Sequence, residues 1–218
     1  MEFIEQNAWK TKPSDRFVLK WIKCHLSARI TPRLVRVKWL RPWMITVSST
    51  SLGVLAGVVF AMGLGWMAGL VGGVSQILDG VDGQFARLTR RQSKAGAFWD
   101  SVLDRYSEGA MEIGLILYLI RLPVPLPLWF VVVLGSLALI GSSLISYSDA
   151  RAEGLEIRLG KPTLASKGTR MTVMILSGIG SPIWAFMPMV ALCYLALHPS
   201  IVVAIRLVKA QRSSSSFF

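Results

Sequence analysis

The chain has 218 residues, a length that suits one domain, and 53% of them are hydrophobic while only 17% are charged. An average soluble domain carries about 25% charged residues; here the mean hydropathy is +0.53 and the apolar residues fall in long runs, which argues against a water-soluble core and for a membrane bundle. The net charge is +12, from 24 Lys and Arg against 12 Asp and Glu, but the basic residues punctuate apolar segments instead of forming one patch, which argues against nucleic acid as the partner.

Residues 1–41 are basic and amphipathic. Phe17, Trp21, His25, Ile30, Leu34 and Val37 recur at roughly helical spacing, with Lys20, Lys23, Arg29, Arg33, Arg36 and Lys38 between them. The pattern predicts a helix lying in the membrane interface. No apolar core followed by a cleavage site stands here, so the segment does not read as a signal peptide. The first spanning helix is predicted over Pro42–Gly65. The second runs over Met67–Leu88, interrupted late by Asp79 and Asp82, and the third over Ala95–Ile120. Leu122–Pro127 is Pro-rich and reads as a turn. The fourth span is predicted over Leu128–Tyr147. Residues 168–208 are long enough for two helices of ~20 residues with a tight turn near Pro182–Pro188. The expected fold is therefore an all-α integral-membrane bundle of six spans over 42–208. The arm 1–41 precedes it, and a short tail, 209–218, follows it.

Charge asymmetry tests the span count. The arm holds ten Lys and Arg; Arg87, Arg90, Arg91 and Lys94 follow the second span; Arg151, Arg158, Lys161, Lys167 and Arg170 follow the fourth; Arg206, Lys209 and Arg212 close the chain. With six spans these 22 fall on one side, Arg121 alone falls on the other, and Arg105 lies within a span. The positive-inside rule then places both termini in the cytoplasm. Eight Trp suit a protein with two polar–apolar boundaries. Cys24 and Cys193 match no metal or redox spacing, His25 and His198 stand alone, and the serine tract Ser213–Ser216 is low in complexity.

Ionisable residues inside spans are costly and functional by default. Residues 79–104 read DGVDGQFARLTRRQSKAGAFWDSVLD. Asp79 and Asp82 are three apart and Asp100 and Asp104 four apart, so each pair shares one helix face. The two helices, joined by a short basic connection, are expected to lie antiparallel with their acids together. Four carboxylates at low dielectric require positive charge, and hard divalent cations with oxygen ligands supply it. A carboxylate-bound metal pair also suits displacement at a diphosphate. Gly80, Gly83 and Ala86 leave an open face for a ligand, Arg87 presents a phosphate fork, and Gly96 is expected to allow close crossing of the two helices. Glu108 and Glu112 continue the acidic face deeper, where they would line an acceptor or lipid cavity, or Glu108 would pair with Arg105 or a neighbouring helix.

This stretch resembles the signature of the CDP-alcohol phosphotransferase family, D-x-x-D-G-x-x-A-R, eight residues, G-x-x-x-D-x-x-x-D, and every fixed position matches: Asp79, Asp82, Gly83, Ala86, Arg87, Gly96, Asp100 and Asp104. The resemblance implies a homodimeric enzyme open to the cytosol that moves a phosphoalcohol from a CDP-alcohol donor onto a small alcohol and releases CMP. It implies magnesium or manganese, two ions per site, on Asp79, Asp82 and Asp100. Asp104 would be the base for the acceptor hydroxyl, near the metals, and Asp79, Gly83, Ala86 and Arg87 would hold the CDP moiety. PWMIT at 42–46 resembles the family's P-N-x-x-T, with Trp43 in place of Asn. SYSDARAEG at 146–154 resembles the motif of the members that use inositol phosphate, and KPSDRFVLKWI resembles the arm of the di-myo-inositol-phosphate-phosphate synthases. That branch implies an acceptor-phosphate pocket of Ser146, Arg170 and Arg206, with Asp149 reversing a charge that is commonly Lys. Glycerol phosphate or serine as acceptor is the alternative within the class. A membrane prenyltransferase and a cation transporter are the rivals outside it, and D-G-x-x-A-R argues against the first.

Overall fold

The computed structural model describes residues 21–122, 126–157, 159 and 164–214, which are helical throughout apart from short connections. Residues 1–20, most of the Pro-rich turn, Arg158, Lys161 and the end of the tail lie outside the described residues. A π-helical turn, Ile22–Ser27, leads into α1 (Ala28–Val35). Two buried hydroxyls dock this segment. Ser27 Oγ donates to the Ile77 carbonyl at 2.7 Å, and Thr31 Oγ1 lies 2.8 Å from Gln84 Oε1. The stripe divides there: Ile30 and Leu34 pack on Val81 and Phe85, while Trp21 and His25 stack on each other and face outward.

Six longer helices follow. α2 (Pro42–Ala61) starts on a proline at its first helical position, after an extended Arg41, where the missing N–H and fixed φ are least costly. α3 (Gly65–Leu88) follows a turn in which Gly63 adopts a φ of +89°, a conformation that favours glycine. α4 (Lys94–Arg121) is capped by Ser93, whose side chain accepts from the Gly96 amide at 3.0 Å. α5 (Leu128–Gly154) runs two turns beyond the predicted span and carries the whole SYSDARAEG motif on helix. α6 (Lys167–Gly180) has 14 residues, and α7 (Met187–Ser214) contains Pro199. Among the described residues three helical stretches are long and apolar enough to cross a membrane: Pro42–Ala61, Leu128–Gly154 and Met187–Gln211.

α2 packs along both α3 and α4, α3 packs on α6, and α5 packs on α7, but α3 and α4 scarcely touch. The close crossing of the two acidic helices expected at Gly96 is thus corrected. α2 fills the angle between them, because small residues let it approach α4 at backbone distance: a Cβ built on Gly114 would stand 2.1 Å from the Gly57 carbonyl oxygen. Gly69 and Gly178 do the same for α3 and α6. Gly96 takes no part in a helix crossing. A Cβ there would meet only the Ser93 hydroxyl, and the residue lines a cavity instead. The core between these helices is Phe60, Met111, Leu115, Met171, Met174 and Leu192. Apolar side chains such as Leu55, Val58, Ile113, Val133, Leu137 and Ile201 point outward, the pattern of a lipid-facing surface.

Candidate active site

The last turns of α3 carry Asp79, Asp82, Gly83, Ala86 and Arg87, and the first turns of α4 carry Asp100 and Asp104. The space left between the two helices is a cavity of about 890 Å³. Asp79, Asp82, Gly83, Ala86, Arg87 and Asp100 all line it, and Trp43 and Thr46 of α2 complete one wall. Beside it, Asp79, Asp100 and Asp104 each present a carboxylate oxygen, all within 4.8 Å of one another. Oxygens bound to one hard cation at about 2.0–2.6 Å lie this close, so the three acids fit such an ion. Asp82 stands apart from that trio. It is buried, and Thr46 Oγ1 donates to its Oδ2 at 2.8 Å. The four predicted acids therefore come to one cavity, three as a cluster and one anchored on α2.

One cation on this site was not singled out in the sequence. Lys167, the first residue of α6, sets its Nζ 3.0 Å from Asp79 Oδ1 and 2.5 Å from Asp104 Oδ1. A lysine closing a basic connection reads as a membrane anchor, and nothing in its local spacing ties it to acids on α3 and α4.

One turn deeper on α4 lies a second polar cluster. Arg105 pairs with Glu108 at 2.7 Å and also bonds Ser146 on α5. Arg170 on α6 is fully buried; its Nε lies 2.6 Å from Glu108 Oε1, it bonds the Ala165 carbonyl, and its Nη2 lies 3.5 Å from Ser146 Oγ. Ser146 and Arg170 are thus brought together. Arg206 on α7 sits one turn along α5 from them, bonding the Ile145 carbonyl at 2.8 Å, Ser148 Oγ at 2.5 Å and Asp149 Oδ1 at 2.9 Å. The charge reversal at Asp149 is therefore matched by an arginine. Of the two open readings for Glu108, pairing holds. Glu112 accepts from Ser142 at 2.5 Å.

The family model for CDP-alcohol phosphatidyltransferases matches residues 39–211. The chain belongs to the CDP-alcohol phosphatidyltransferase family. The phosphatidylinositol phosphate synthase of Cutibacterium acnes is 30% identical over 200 residues, covering 88% of this chain and 90% of that protein. The bifunctional IPC transferase and DIPP synthase of Thermococcus kodakarensis is 36% identical over 140 residues, covering 64% of this chain. The chain spans 30% of the length of that relative. Among solved structures, the Mycobacterium tuberculosis phosphatidylinositol phosphate synthase with CDP-DAG bound matches with a TM-score of 0.74 at 25% identity, over 84% of this chain and 92% of that one. The same enzyme in complex with manganese and citrate matches with a TM-score of 0.75, over 85% of this chain and 88% of that one.

As a CDP-alcohol phosphatidyltransferase, the chain places all eight fixed positions of its signature on α3 and α4; seven of them line one cavity and Asp104 lies beside it. The helix ends do this because the signature switches each helix from apolar to polar within its last or first turns. The connection between them is tight, with Arg90 at a φ of 53°.

Proposed function

We propose that the enzyme transfers a phosphoalcohol from a CDP-linked donor to the hydroxyl of an inositol phosphate, releasing CMP. The observation that carries this reading is the carboxylate cluster of Asp79, Asp100 and Asp104, within 4.8 Å, at a cavity lined by Gly83, Ala86 and Arg87. Magnesium or manganese, two ions held by Asp79, Asp100 and Asp104 with Asp82 beside them, would supply charge neutralisation at the diphosphate and the leaving CMP. The protein's own groups do the rest. Gly83 and Ala86 leave room for the CDP moiety and Arg87 forks onto its phosphate oxygens. Thr46 fixes Asp82. Asp104 takes the proton of the acceptor hydroxyl as its oxygen bonds to phosphorus and the bond from phosphorus to CMP breaks.

The acceptor side is supported by charge and geometry. Ser146 lies between Arg105 and Arg170, with Arg206 one turn away, so three guanidinium groups face two acids, Glu108 and Asp149. Guanidinium forks suit a phosphate better than ammonium groups do. The relatives named phosphatidylinositol phosphate synthase and bifunctional IPC transferase and DIPP synthase favour the same acceptor class. We further propose six spans, α2 to α7, with both termini and the site cytoplasmic, α1 in the interface, and a homodimer as the family resemblance implies. One-sided placement of 22 of the 24 Lys and Arg supports the orientation.

The test is a matrix of substrates. Purified protein receives CDP-diacylglycerol, CDP-archaeol or CDP-inositol with inositol phosphate, inositol, glycerol phosphate or serine, and released CMP is measured. CMP should appear with inositol phosphate. Release confined to serine or glycerol phosphate would refute this acceptor and leave the reaction class standing. With the productive pair, Arg170→Lys keeps the charge but loses the fork, and should raise the acceptor KM about tenfold with little change for the donor.

A further inference from the structure

Lys167 joins three helices, of which α3 packs on α6 while α4 has few contacts with either. Its ammonium lies 3.0 Å from Asp79 on α3 and 2.5 Å from Asp104 on α4, and the lysine belongs to α6. α3 and α4 scarcely pack on each other, so this cation bridges the gap between them. It also holds two carboxylates that the metal site needs. Asp79 and Asp104 are two of the three residues whose carboxylates converge within 4.8 Å. An ammonium hydrogen-bonds at about 2.7–3.0 Å, whereas a divalent ion draws the same oxygens to about 2.0–2.6 Å. An ammonium and a divalent ion on the same two carboxylates bring two positive charges into repulsion at that range.

We infer that Lys167 is a tethered counter-ion of the metal site, which holds Asp79 and Asp104 together when no metal is bound and is displaced when a divalent cation enters. Its side chain suits the task. A compact ammonium on a flexible four-carbon stem can leave without moving its backbone. Without it, mutually repelling acids at a partly buried site would have only their remaining partners to keep α3 and α4 in register. Arg170 stands one turn further along α6, so displacement acts at the head of the helix that carries the buried Arg170–Glu108 pair. The role rests on the metal-dependent transfer proposed above, but it concerns binding and not turnover.

Two measurements on the full-length protein in detergent test it without relying on activity. In the first, wild-type protein is treated with an amine-acetylating reagent in chelator and in Mn²⁺, and Lys167 modification is read by mass spectrometry. Lys167 should be modified several-fold faster with Mn²⁺ present. In the second, Mn²⁺ binding is followed by paramagnetic resonance in wild type, Lys167→Met and Lys167→Gln. Loss of a competing, partly buried ion pair should tighten Mn²⁺ binding by about tenfold. The same variants should melt below wild type in chelator and recover with Mn²⁺. Equal acetylation in both conditions together with unchanged Mn²⁺ affinity would overturn the lysine's role and leave the metal site intact. Absence of any Mn²⁺ binding by wild type, or binding that survives Asp79→Asn with Asp100→Asn, would overturn both.

Discussion

Thr46 donates to a buried carboxylate that shares its cavity with Asp79 and Asp100, and this small contact separates two kinds of acid at the site. Asp79, Asp100 and Asp104 share oxygens within 4.8 Å; Asp82 is held from α2. Asp79→Asn or Asp100→Asn should therefore abolish turnover, while Thr46→Val should weaken it. Leaving a buried carboxylate short of a donor costs about 1–3 kcal/mol, which corresponds to a fall of about ten- to a hundredfold in kcat/KM if it is felt in the transition state. Thr46→Ser should restore most of it, and steady-state CMP release measures all four. A Thr46→Val enzyme with wild-type kcat/KM would show that Asp82 needs no positioning. The spacing of three and of four along helices made the acids legible in the sequence, and the PWMIT stretch brought Thr46 into view. Lys167 was not legible as a partner. Its acids lie on two distant helices, and an ammonium at the end of a basic connection has a simpler use as a membrane anchor. The pairing of Asp149 with Arg206 was foreseeable as a matched charge but not as that particular pair.

Helix positions followed the apolar runs closely, and the departures are instructive. α5 continues to Gly154 because its polar end, with two alanines and a glutamate, remains good helix-forming sequence after hydropathy has fallen. α3 and α4 bring their acids together as their spacing suggests, but they do not cross closely as Gly96 suggested. What decides it is the small-residue seam of α2 against α4, which periodicity of apolar residues does not reveal. That seam makes a sharp prediction. Gly114→Ala puts a methyl 2.1 Å from the Gly57 carbonyl oxygen, a backbone atom that cannot turn aside. It should cost about 1–3 kcal/mol through forced separation of the helices. Gly109→Ala, on the same helix with nothing within 4 Å, should be neutral or gain up to about 1 kcal/mol from helix propensity. Thermal unfolding in detergent compares them, and equal melting temperatures would contradict the seam.

At the scale of the whole molecule, one arrangement organises charge, packing and chemistry. α2 splays α3 from α4, the signature acids with Gly83, Ala86 and Arg87 stand at the gap, and α6 delivers Lys167 to Asp79 and Asp104 and Arg170 to the cluster one turn deeper. The all-helical class with apolar, membrane-capable helices and the acidic centre could be read from the sequence because they depend on local spacing and on long apolar runs. The cleft could not, because it arises from which helices do not touch. The account stands on the claim that this acidic centre works on a CDP-linked donor through a divalent cation. The direct measurement is CMP release from CDP-diacylglycerol with inositol phosphate by the purified enzyme, first in chelator and then after addition of Mg²⁺ or Mn²⁺. The account predicts no release in chelator, full recovery with metal, and no recovery in Asp100→Asn. Equal release with and without chelator would contradict it.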